Sequence, residues 1–245
     1  MYGLIGNPIK HSFSADFFNS KFKREGIDEE YRLFQLEKID DLKELLTEHK
    51  DLKGLNVTIP FKQQVIPYLD RLSDEAREIG AVNVIKISEG GHRLEGFNSD
   101  AVGFRDSIKP LLRPHMRKAL ILGTGGASRA VEYVLRKEGI EVMKVSRKGN
   151  DGLLSYSDVT QEVMSEFHVI VNTTPLGMWP KTDTCPDIPY SLLTPGHLCF
   201  DLVYNPETTL FMQKASEMGA TVKNGLEMLH GQAIAAWKIW NSRSV

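Results

Sequence analysis

A chain of 245 residues, 41% hydrophobic and 25% charged, is long enough for one large globular domain or two smaller ones. The formal net charge of −2 gives no electrostatic basis for binding nucleic acid or a membrane surface. Cys185 and Cys199 lack metal-binding spacing, and two isolated thiols are typical of a reducing cytoplasm. The first residues predict a strand rather than a signal peptide, and no apolar run has the length of a membrane span. We therefore expect a cytoplasmic protein.

Strand and helix patterns alternate along the first hundred residues, which is typical of α/β layers with mostly parallel sheets. Phe17, Phe18 and Phe22 recur at helical spacing after Ser14, which predicts a helix with Ser14 as its N-cap. The remaining pattern predicts strands at 2–5, 31–36 and 54–57, helices at 14–24, 40–48 and 73–79, and a hairpin of strands 82–87 and 92–95 around Glu89-Gly90-Gly91.

The alternation continues after a helix at 99–108 and a proline-containing linker at 111–118. We predict strands at 119–122, 141–145, 168–172 and 198–203, and helices at 128–137, 207–218 and 226–240. The proline-rich stretch 179–195 is expected to be a loop over a bound nucleotide. The last helix has an apolar stripe that includes Leu229, Ala233 and Trp237.

A glycine-rich turn joins the apolar strand 119–122 to the following helix, with the sequence Gly123-Thr124-Gly125-Gly126-Ala127. Glycines let a backbone bend sharply and approach a pyrophosphate closely, and a helix N-terminus offers free amide hydrogens and a positive dipole end. The flanking strand and helix make this more specific than an isolated glycine loop. The turn therefore predicts a dinucleotide-binding unit.

The next strand ends in Ser146-Arg147-Lys148. NAD-binding units carry an acidic residue about 20 residues past the glycine loop, where it binds the ribose hydroxyls. Two cations at the corresponding place suit an anion such as the 2′-phosphate of NADP, which a carboxylate would repel. The pattern therefore favours NADP over NAD.

Three polar clusters stand where strands of the first half are expected to end. They are His11-Ser12-Phe13-Ser14, the segment 56–62 that runs from Asn56 to Lys62, and Asn83 together with Asn98-Ser99-Asp100. Ligands of open α/β sheets bind beyond the carboxyl ends of strands. Hydroxyls, amides, a lysine and a carboxylate at this edge predict a small, anionic, polyhydroxylated substrate. No cluster of His, Cys and carboxylate residues suggests a metal.

Seven segments in this order resemble the motifs of the shikimate dehydrogenase family, and the resemblance covers nearly the whole chain. The segments are 56–62, Gly80-Ala81-Val82-Asn83, 96–100, the glycine loop through Ala130, 172–178, 201–206 and Gly225-Leu226-Glu227-Met228-Leu229. The resemblance implies an N-terminal α/β substrate domain (1–100) and a Rossmann-type NADP domain (101–225), separated by a cleft. It also implies that the helix 226–245 packs back on the first domain.

The resemblance also implies roles for individual residues. Lys62 and Asp100 match the catalytic pair, and either of them could carry the proton. Substrate binding is expected from Ser12 and Ser14 at the carboxylate with Tyr204 nearby, and from Thr58, Asn83 and Gln232 at the ring hydroxyls. Cofactor binding is expected from Gly123, Gly125, Gly126, Ala127, Ser146, Arg147, Lys148, Thr173 and Met228. The chain departs from the family in having Ser99 for the usual Thr and Gly231 before Gln232, where glycine weakens a helix.

The implied activity is the NADP-dependent, reversible reduction of 3-dehydroshikimate to shikimate in aromatic amino-acid biosynthesis. A quinate/shikimate dehydrogenase would share almost every motif, since quinate is a saturated ring with one more hydroxyl. A methylene-tetrahydrofolate dehydrogenase fits the paired serines poorly. A non-catalytic NADP sensor would not need Lys62 and Asp100 together. The expected assembly is a monomer or a homodimer.

Overall fold

The computed structural model describes residues 1–9, 12–88, 93–149 and 152–242. His11 and the predicted turn Glu89-Gly90-Gly91 lie outside these residues. The chain divides into two compact units, and the first of them consists of Met1–Ser99 together with Gln232–Val245. The second unit is the uninterrupted stretch between them, residues 100–231.

The first unit contains a six-stranded sheet in the order β2-β1-β3-β5-β6-β4. β1 is parallel to both of its neighbours, whereas β5 is antiparallel to β3 and to β6. The predicted hairpin is therefore present as the pair β5 and β6. The strands are β1 Tyr2–Gly6, β2 Tyr31–Gln35, β3 Gly54–Val57, β4 Arg71–Leu72, β5 Val84–Ile87 and β6 Leu94–Phe97.

The helices of the first unit lie close to their predicted positions, with one addition. They are α1 Phe13–Glu25, α2 Leu42–Glu48, α3 Phe61–Gln64 and α4 Asp74–Ile79. The sequence pattern did not predict α3, which is only four residues long and begins after Pro60. The N-cap of α1 is Ser12, whose side chain accepts a hydrogen bond from the Ser14 amide, so the prediction that Ser14 is the cap was wrong.

The two faces of this sheet are buried under different helices, because successive side chains of a strand point to opposite faces. Ile5 belongs to the cluster with Leu42 and Phe61, whereas Leu4 belongs to the cluster with Phe18 and Trp240. The Trp240 indole Nε1 donates to the Ile85 carbonyl at 3.0 Å. A residue near the end of the chain is therefore part of the core of the first unit.

The second unit contains six parallel strands in the order β12-β11-β10-β7-β8-β9. Read from β9, this is the 3-2-1-4-5-6 order of the Rossmann fold, and the order reverses between β7 and β10. The predicted α/β class with a Rossmann-type unit is confirmed. The strands are β7 Lys118–Leu122, β8 Glu141–Ser146, β9 Leu153–Ser155, β10 Val169–Asn172, β11 Leu198–Asp201 and β12 Thr221–Lys223.

The helices of this unit are α5 Asp100–Ile108, α6 Gly126–Lys137, α7 Gln161–Glu166 and α8 Leu210–Glu217. The predicted strand 198–203 is shorter, ending at Asp201, and α8 begins later than predicted because Thr209 is its N-cap. Within α5, the Phe104 ring lies edge-on to the Phe200 ring of β11, with centroids 5.1 Å apart. This contact packs α5 onto the sheet.

The last helix, α9 Leu226–Asn241, continues through Gly231 without a break. A Cβ atom at Gly231 would lie 3.1 Å from the Cα of Gly103 in α5. The glycine therefore allows two helices to approach closely, which explains a residue that weakens a helix by about 1 kcal/mol relative to alanine. Among the described residues, none of the helices combines the length and the apolar composition needed to cross a bilayer.

Candidate active site

The strand directions of the first unit bring its polar clusters to one edge of the sheet. β1 and β3 are parallel and end at this edge, and β5, which is antiparallel to β3, begins there. β6 is antiparallel to β5 and so ends at the same edge. The segments next to these strand ends carry Ser12, Thr58, Asn83 and Ser99.

Asn83 makes several side-chain hydrogen bonds at this edge, and it is only 2% exposed. Its Nδ2 donates to Ser99 Oγ at 3.0 Å and to Gln232 Oε1 at 3.1 Å. Its Oδ1 accepts a hydrogen bond from the Ser99 amide at 2.6 Å. Two residues predicted to bind ring hydroxyls, Asn83 and Gln232, are thus brought into direct contact. The two hydrogen bonds with Ser99 fix the orientation of the Asn83 side-chain amide.

Thr58 and Lys62 lie on the connection that follows β3. The Thr58 amide donates to the Ile5 carbonyl at 2.9 Å, which ties this connection to the end of β1. Phe61 is buried and anchors α3, and the half-buried Lys62 is the next residue. The Lys62 carbonyl accepts a hydrogen bond from the Val82 amide at 2.7 Å. The Lys62 backbone is therefore held beside the turn that carries Asn83.

The two serines near the N-terminus have different surroundings. Ser12 Oγ accepts the Ser14 amide at 3.1 Å and caps α1. The Ser14 side chain is hydrogen-bonded to the hydroxyl of Tyr31. That hydroxyl donates to Asn56 Oδ1 at 2.8 Å, and Asn56 Nδ2 donates to the Asn83 carbonyl at 3.2 Å. Neither Tyr31 nor Asn56 was expected among the site residues, although Asn56 begins the segment 56–62.

Asp100 begins α5 in the second unit and is 2% exposed. A carboxylate at this position is stabilised by the positive end of the helix dipole. The structure places Lys62 in the first unit and Asp100 in the second, so their joint action remains a prediction. Within the described part of the chain, no three His, Cys, Asp or Glu side chains converge on a position that could hold a metal ion.

The glycine loop lies at the point where the strand order of the second unit reverses. Gly123 has a φ of +111°, and a Cβ atom there would lie 2.7 Å from Thr173 Oγ1. Thr173 is fixed in turn, since its Oγ1 donates to the Leu122 carbonyl at 2.7 Å. Gly125 is the N-cap of α6, with no side-chain hydrogen bond, and Gly126 and Ala127 begin the helix. A glycine at the N-cap has no side chain that could accept hydrogen bonds from the first amides of α6. A helix start of this kind suits an anionic ligand.

The basic pair lies beside this loop because β7 and β8 are neighbouring parallel strands. The Gly123 amide donates to the Val145 carbonyl at 2.9 Å, and Val145 precedes Ser146, the last residue of β8. Ser146 Oγ accepts the Gly149 amide at 3.2 Å, which closes the turn. Arg147 and Lys148 on that turn are exposed. Two cations and an uncapped helix end are thus on the same edge of the sheet.

A buried carboxylate organises the adjacent strand ends. Asp201 Oδ1 accepts hydrogen bonds from Asn172 Nδ2 at 2.9 Å and from the Val203 amide at 3.0 Å, and its Oδ2 accepts one from the Thr209 hydroxyl at 2.6 Å. Asn172 Oδ1 in turn accepts the Thr174 amide at 3.0 Å. This network fixes the loop after β10, which includes Thr173. The signal in the sequence is a polar residue at the end of each of two neighbouring apolar strands.

Burial raises the pKa of Asp201 to about 6, although its three hydrogen bonds oppose the rise. Well below pH 4 the carboxyl is protonated in both folded and unfolded chains. As the pH rises to about 6 the unfolded chain loses its proton first, so this group lowers the unfolding free energy by about 3 kcal/mol.

We expect the Asp201→Asn variant to gain stability relative to the parent between pH 4 and pH 6, as measured by urea unfolding at several pH values. The exposed Asp187→Asn variant is the control, and a pH-independent difference for Asp201→Asn would contradict the assignment.

Tyr204 lies after the end of β11, and Met228 lies after β12 in the first turn of α9. Partial burial raises the pKa of the Tyr204 phenol, which is 37% exposed, whereas Met228 in α9 is only 5% exposed. The Gly225 amide donates to the Val203 carbonyl at 3.1 Å, and a Cβ atom at Gly225 would lie 2.1 Å from the Leu202 carbonyl oxygen. The residue before α9 is thus packed against Leu202 and Val203, the two residues that follow Asp201.

Comparisons with known proteins find similar sequences and similar folds. Residues 4–85 match the family model described as the shikimate dehydrogenase substrate binding domain. The structure of shikimate 5-dehydrogenase from Thermus thermophilus, in complex with NADP(H) and shikimate, has a TM-score of 0.85 at 33% identity and covers 98% of this chain and 92% of that one. The ligand-free 5-ketofructose reductase of a Gluconobacter species has a TM-score of 0.82 at 26% identity, covering 100% and 93%.

Sequence comparison extends the match to the whole length. A shikimate dehydrogenase (NADP(+)) of Aquifex aeolicus is 40% identical over 256 aligned positions, which cover 100% of this chain and 92% of that relative. The match therefore includes the Rossmann-type unit as well as the substrate binding domain. With this identity over nearly the full length of both chains, and with the same two kinds of unit, the chain belongs to the shikimate dehydrogenase family.

Proposed function

We propose that the protein catalyses the NADP-dependent, reversible reduction of 3-dehydroshikimate to shikimate, a step of aromatic amino-acid biosynthesis. The observation that carries this proposal is the polar edge of the first unit. There Asn83 is hydrogen-bonded both to Ser99 and to Gln232, and the Lys62 backbone is held next to the turn that carries Asn83. The edge lies in a unit that matches the family's substrate binding domain over residues 4–85.

The residues of the second unit fit NADP. The N-terminal end of α6 and the glycine loop suit a pyrophosphate, and exposed Arg147 and Lys148 suit the adenosine phosphate. No acidic residue stands at the end of β8 to repel that phosphate. Thr173 adjoins the loop, and Met228 is proposed to contact the nicotinamide. When bound, NADPH supplies the hydride, and the protein supplies orientation and proton transfer.

The substrate carries one carboxylate, several hydroxyls and the reacting carbonyl, and each has a proposed partner. Ser12 and Ser14 donate to the carboxylate with Tyr204 nearby, while Thr58, Asn83 and Gln232 bind the ring hydroxyls. Negative charge develops on the carbonyl oxygen during reduction, so a proton donor beside it stabilises the transition state. Lys62 and Asp100 are proposed for this role. Either residue carries the proton, and the other acts as its electrostatic partner.

An absorbance assay of NADPH tests the proposal. We expect turnover of shikimate with NADP, weaker turnover with NAD, and little turnover of quinate. Comparable rates on both acids would instead identify a quinate/shikimate dehydrogenase. Binding of NADPH without turnover of shikimate, quinate or 5-ketofructose would favour the sensor and overturn the proposed activity. A cytoplasmic location and a monomeric or homodimeric state remain predictions, and sedimentation velocity distinguishes the two assemblies.

The two serines separate a structural role from a binding role. Ser12→Ala removes the α1 cap, so we expect a loss of about 1 kcal/mol in unfolding free energy as well as weaker shikimate binding. Ser14→Ala leaves the cap in place, so its melting temperature should fall less while the KM for shikimate rises. The KM for NADP should be unchanged in both variants. A Ser14→Ala variant with normal shikimate kinetics would contradict its assignment to the substrate.

A further inference from the structure

Tyr31, the first residue of β2, is held rigidly in the core of the first unit. Its ring stacks on the Phe18 ring with centroids 4.9 Å apart, and it is 3% exposed. The Asn19 side chain makes two hydrogen bonds to the Tyr31 backbone. Its Oδ1 accepts from the Tyr31 amide at 2.9 Å, and its Nδ2 donates to the Tyr31 carbonyl at 3.0 Å. The hydroxyl at the far end of the ring therefore has a well-defined position.

That hydroxyl connects two parts of the proposed substrate site. It is hydrogen-bonded to the Ser14 side chain and donates to Asn56 Oδ1 at 2.8 Å. Asn56 Nδ2 then reaches the Asn83 carbonyl at 3.2 Å. A continuous series of hydrogen bonds thus runs from Ser14 on α1 to Asn83 at the start of β5. The two ends carry groups proposed for different parts of one substrate.

Tyr31 contributes a neutral hydroxyl rather than a titrating group. Complete burial raises the pKa of its phenol well above the usual range, and the Ser14 hydrogen bond offsets this only in part. A phenol has one proton, so while Tyr31 donates to Asn56 Oδ1 its oxygen accepts from the Ser14 hydroxyl. When Ser14 donates to a bound carboxylate instead, the Tyr31 hydroxyl can turn and donate to Ser14 Oγ, so the Tyr31–Ser14 hydrogen bond is kept.

We propose that Tyr31 is a positioning residue, whose hydroxyl holds Ser14 at a fixed distance from Asn83. This inference rests on the proposed function, in which Ser14 binds the substrate carboxylate and Asn83 a ring hydroxyl. A small rigid ring needs both contacts at once, and an unanchored serine must be ordered when the substrate binds. Tyr31 removes that cost in advance and never contacts the substrate.

The test is the Tyr31→Phe variant, which keeps the stacked ring and removes only the hydroxyl. We expect the KM for shikimate to rise about three- to ten-fold, the size of effect expected from losing the hydrogen bond that holds Ser14. The kcat and the KM for NADP should stay unchanged. The control is Tyr2→Phe, which removes a hydroxyl from another tyrosine of the same core, 4.7 Å from the Trp240 ring. That variant should keep the normal KM for shikimate.

A double-mutant cycle separates positioning from general stability. Once Ser14 is alanine, Tyr31→Phe should cause no further rise in the KM for shikimate, because the group that it positions is gone. Independent, multiplicative effects would overturn the inference, and so would a normal KM in Tyr31→Phe. Absence of shikimate turnover by the parent protein would overturn the proposed function instead. Equal losses in Tyr31→Phe and Tyr2→Phe would show a merely structural role.

Discussion

Replacing Lys62 by alanine is expected to lower kcat about 100-fold or more, which is the usual contribution of a general acid or base. The KM for shikimate should change much less, because the contact matters most as charge develops on the carbonyl oxygen. Steady-state kinetics in both directions measure the effect. The control is Lys53→Ala, which removes an exposed lysine of the same unit that pairs with Glu29. Near-normal kcat in Lys62→Ala would leave Asp100 as the proton carrier.

Asp100→Asn should also lose activity, and the double variant should be little slower than the poorer single variant. Residues that act as one unit are non-additive in this way. Asp74→Asn is a matched control, since Asp74 also begins a helix but has a fully solvated side chain. Multiplicative losses in the double variant would show that Lys62 and Asp100 act independently.

Replacing Arg147 by alanine is expected to raise the KM for NADP about tenfold or more. A charge-assisted hydrogen bond to a phosphate contributes about 1.5–3 kcal/mol, and NAD lacks that phosphate. The KM for NAD should therefore stay close to that of the parent, and the ratio of kcat/KM for the two cofactors measures the change. Lys148→Ala should show a smaller effect in the same direction.

Arg113→Ala is the control for this experiment. Arg113 is also exposed, but it precedes β7, whereas the glycine loop follows the other end of that strand. Its loss should affect neither cofactor. Equal effects of Arg147→Ala on NADP and NAD would contradict a role for Arg147 in binding the adenosine phosphate.

The longer elements of the fold could be predicted from the sequence because their patterns are strong. An apolar run such as that of β7 predicts a buried strand, and the glycine turn after this strand indicates the start of α6. The elements that escaped prediction are short: α3 has four residues and α7 six, while β4 has two and β9 and β12 three each. Too few residues repeat in such segments to show a period, and tertiary contacts decide their conformation.

The candidate site could be predicted as a set of residues but not as a network. Asn83 and Ser99 stand in recognisable motifs, yet the contact between Asn83 and Gln232 joins residues 149 positions apart. Tyr31 stands between Glu30 and Arg32, two exposed charges that give no indication of its buried contacts, and its partner Asn56 lies 25 positions later. Ser12 and Ser14 are both good caps by residue type, and only the position of the first helical turn distinguishes them.

The participation of Trp240 in the first core has a consequence for biosynthesis on the ribosome. In a chain made from its N-terminus, the Rossmann-type unit is synthesised before the residues of α9 that cover one face of the first sheet. Until then Phe18, Phe22 and Tyr31 lack the partners Ala233, Ala236 and Trp240 that cover them in the finished protein. The half that is synthesised first is therefore completed last. A nascent chain stalled before residue 232 exposes an aromatic surface that chaperones can bind.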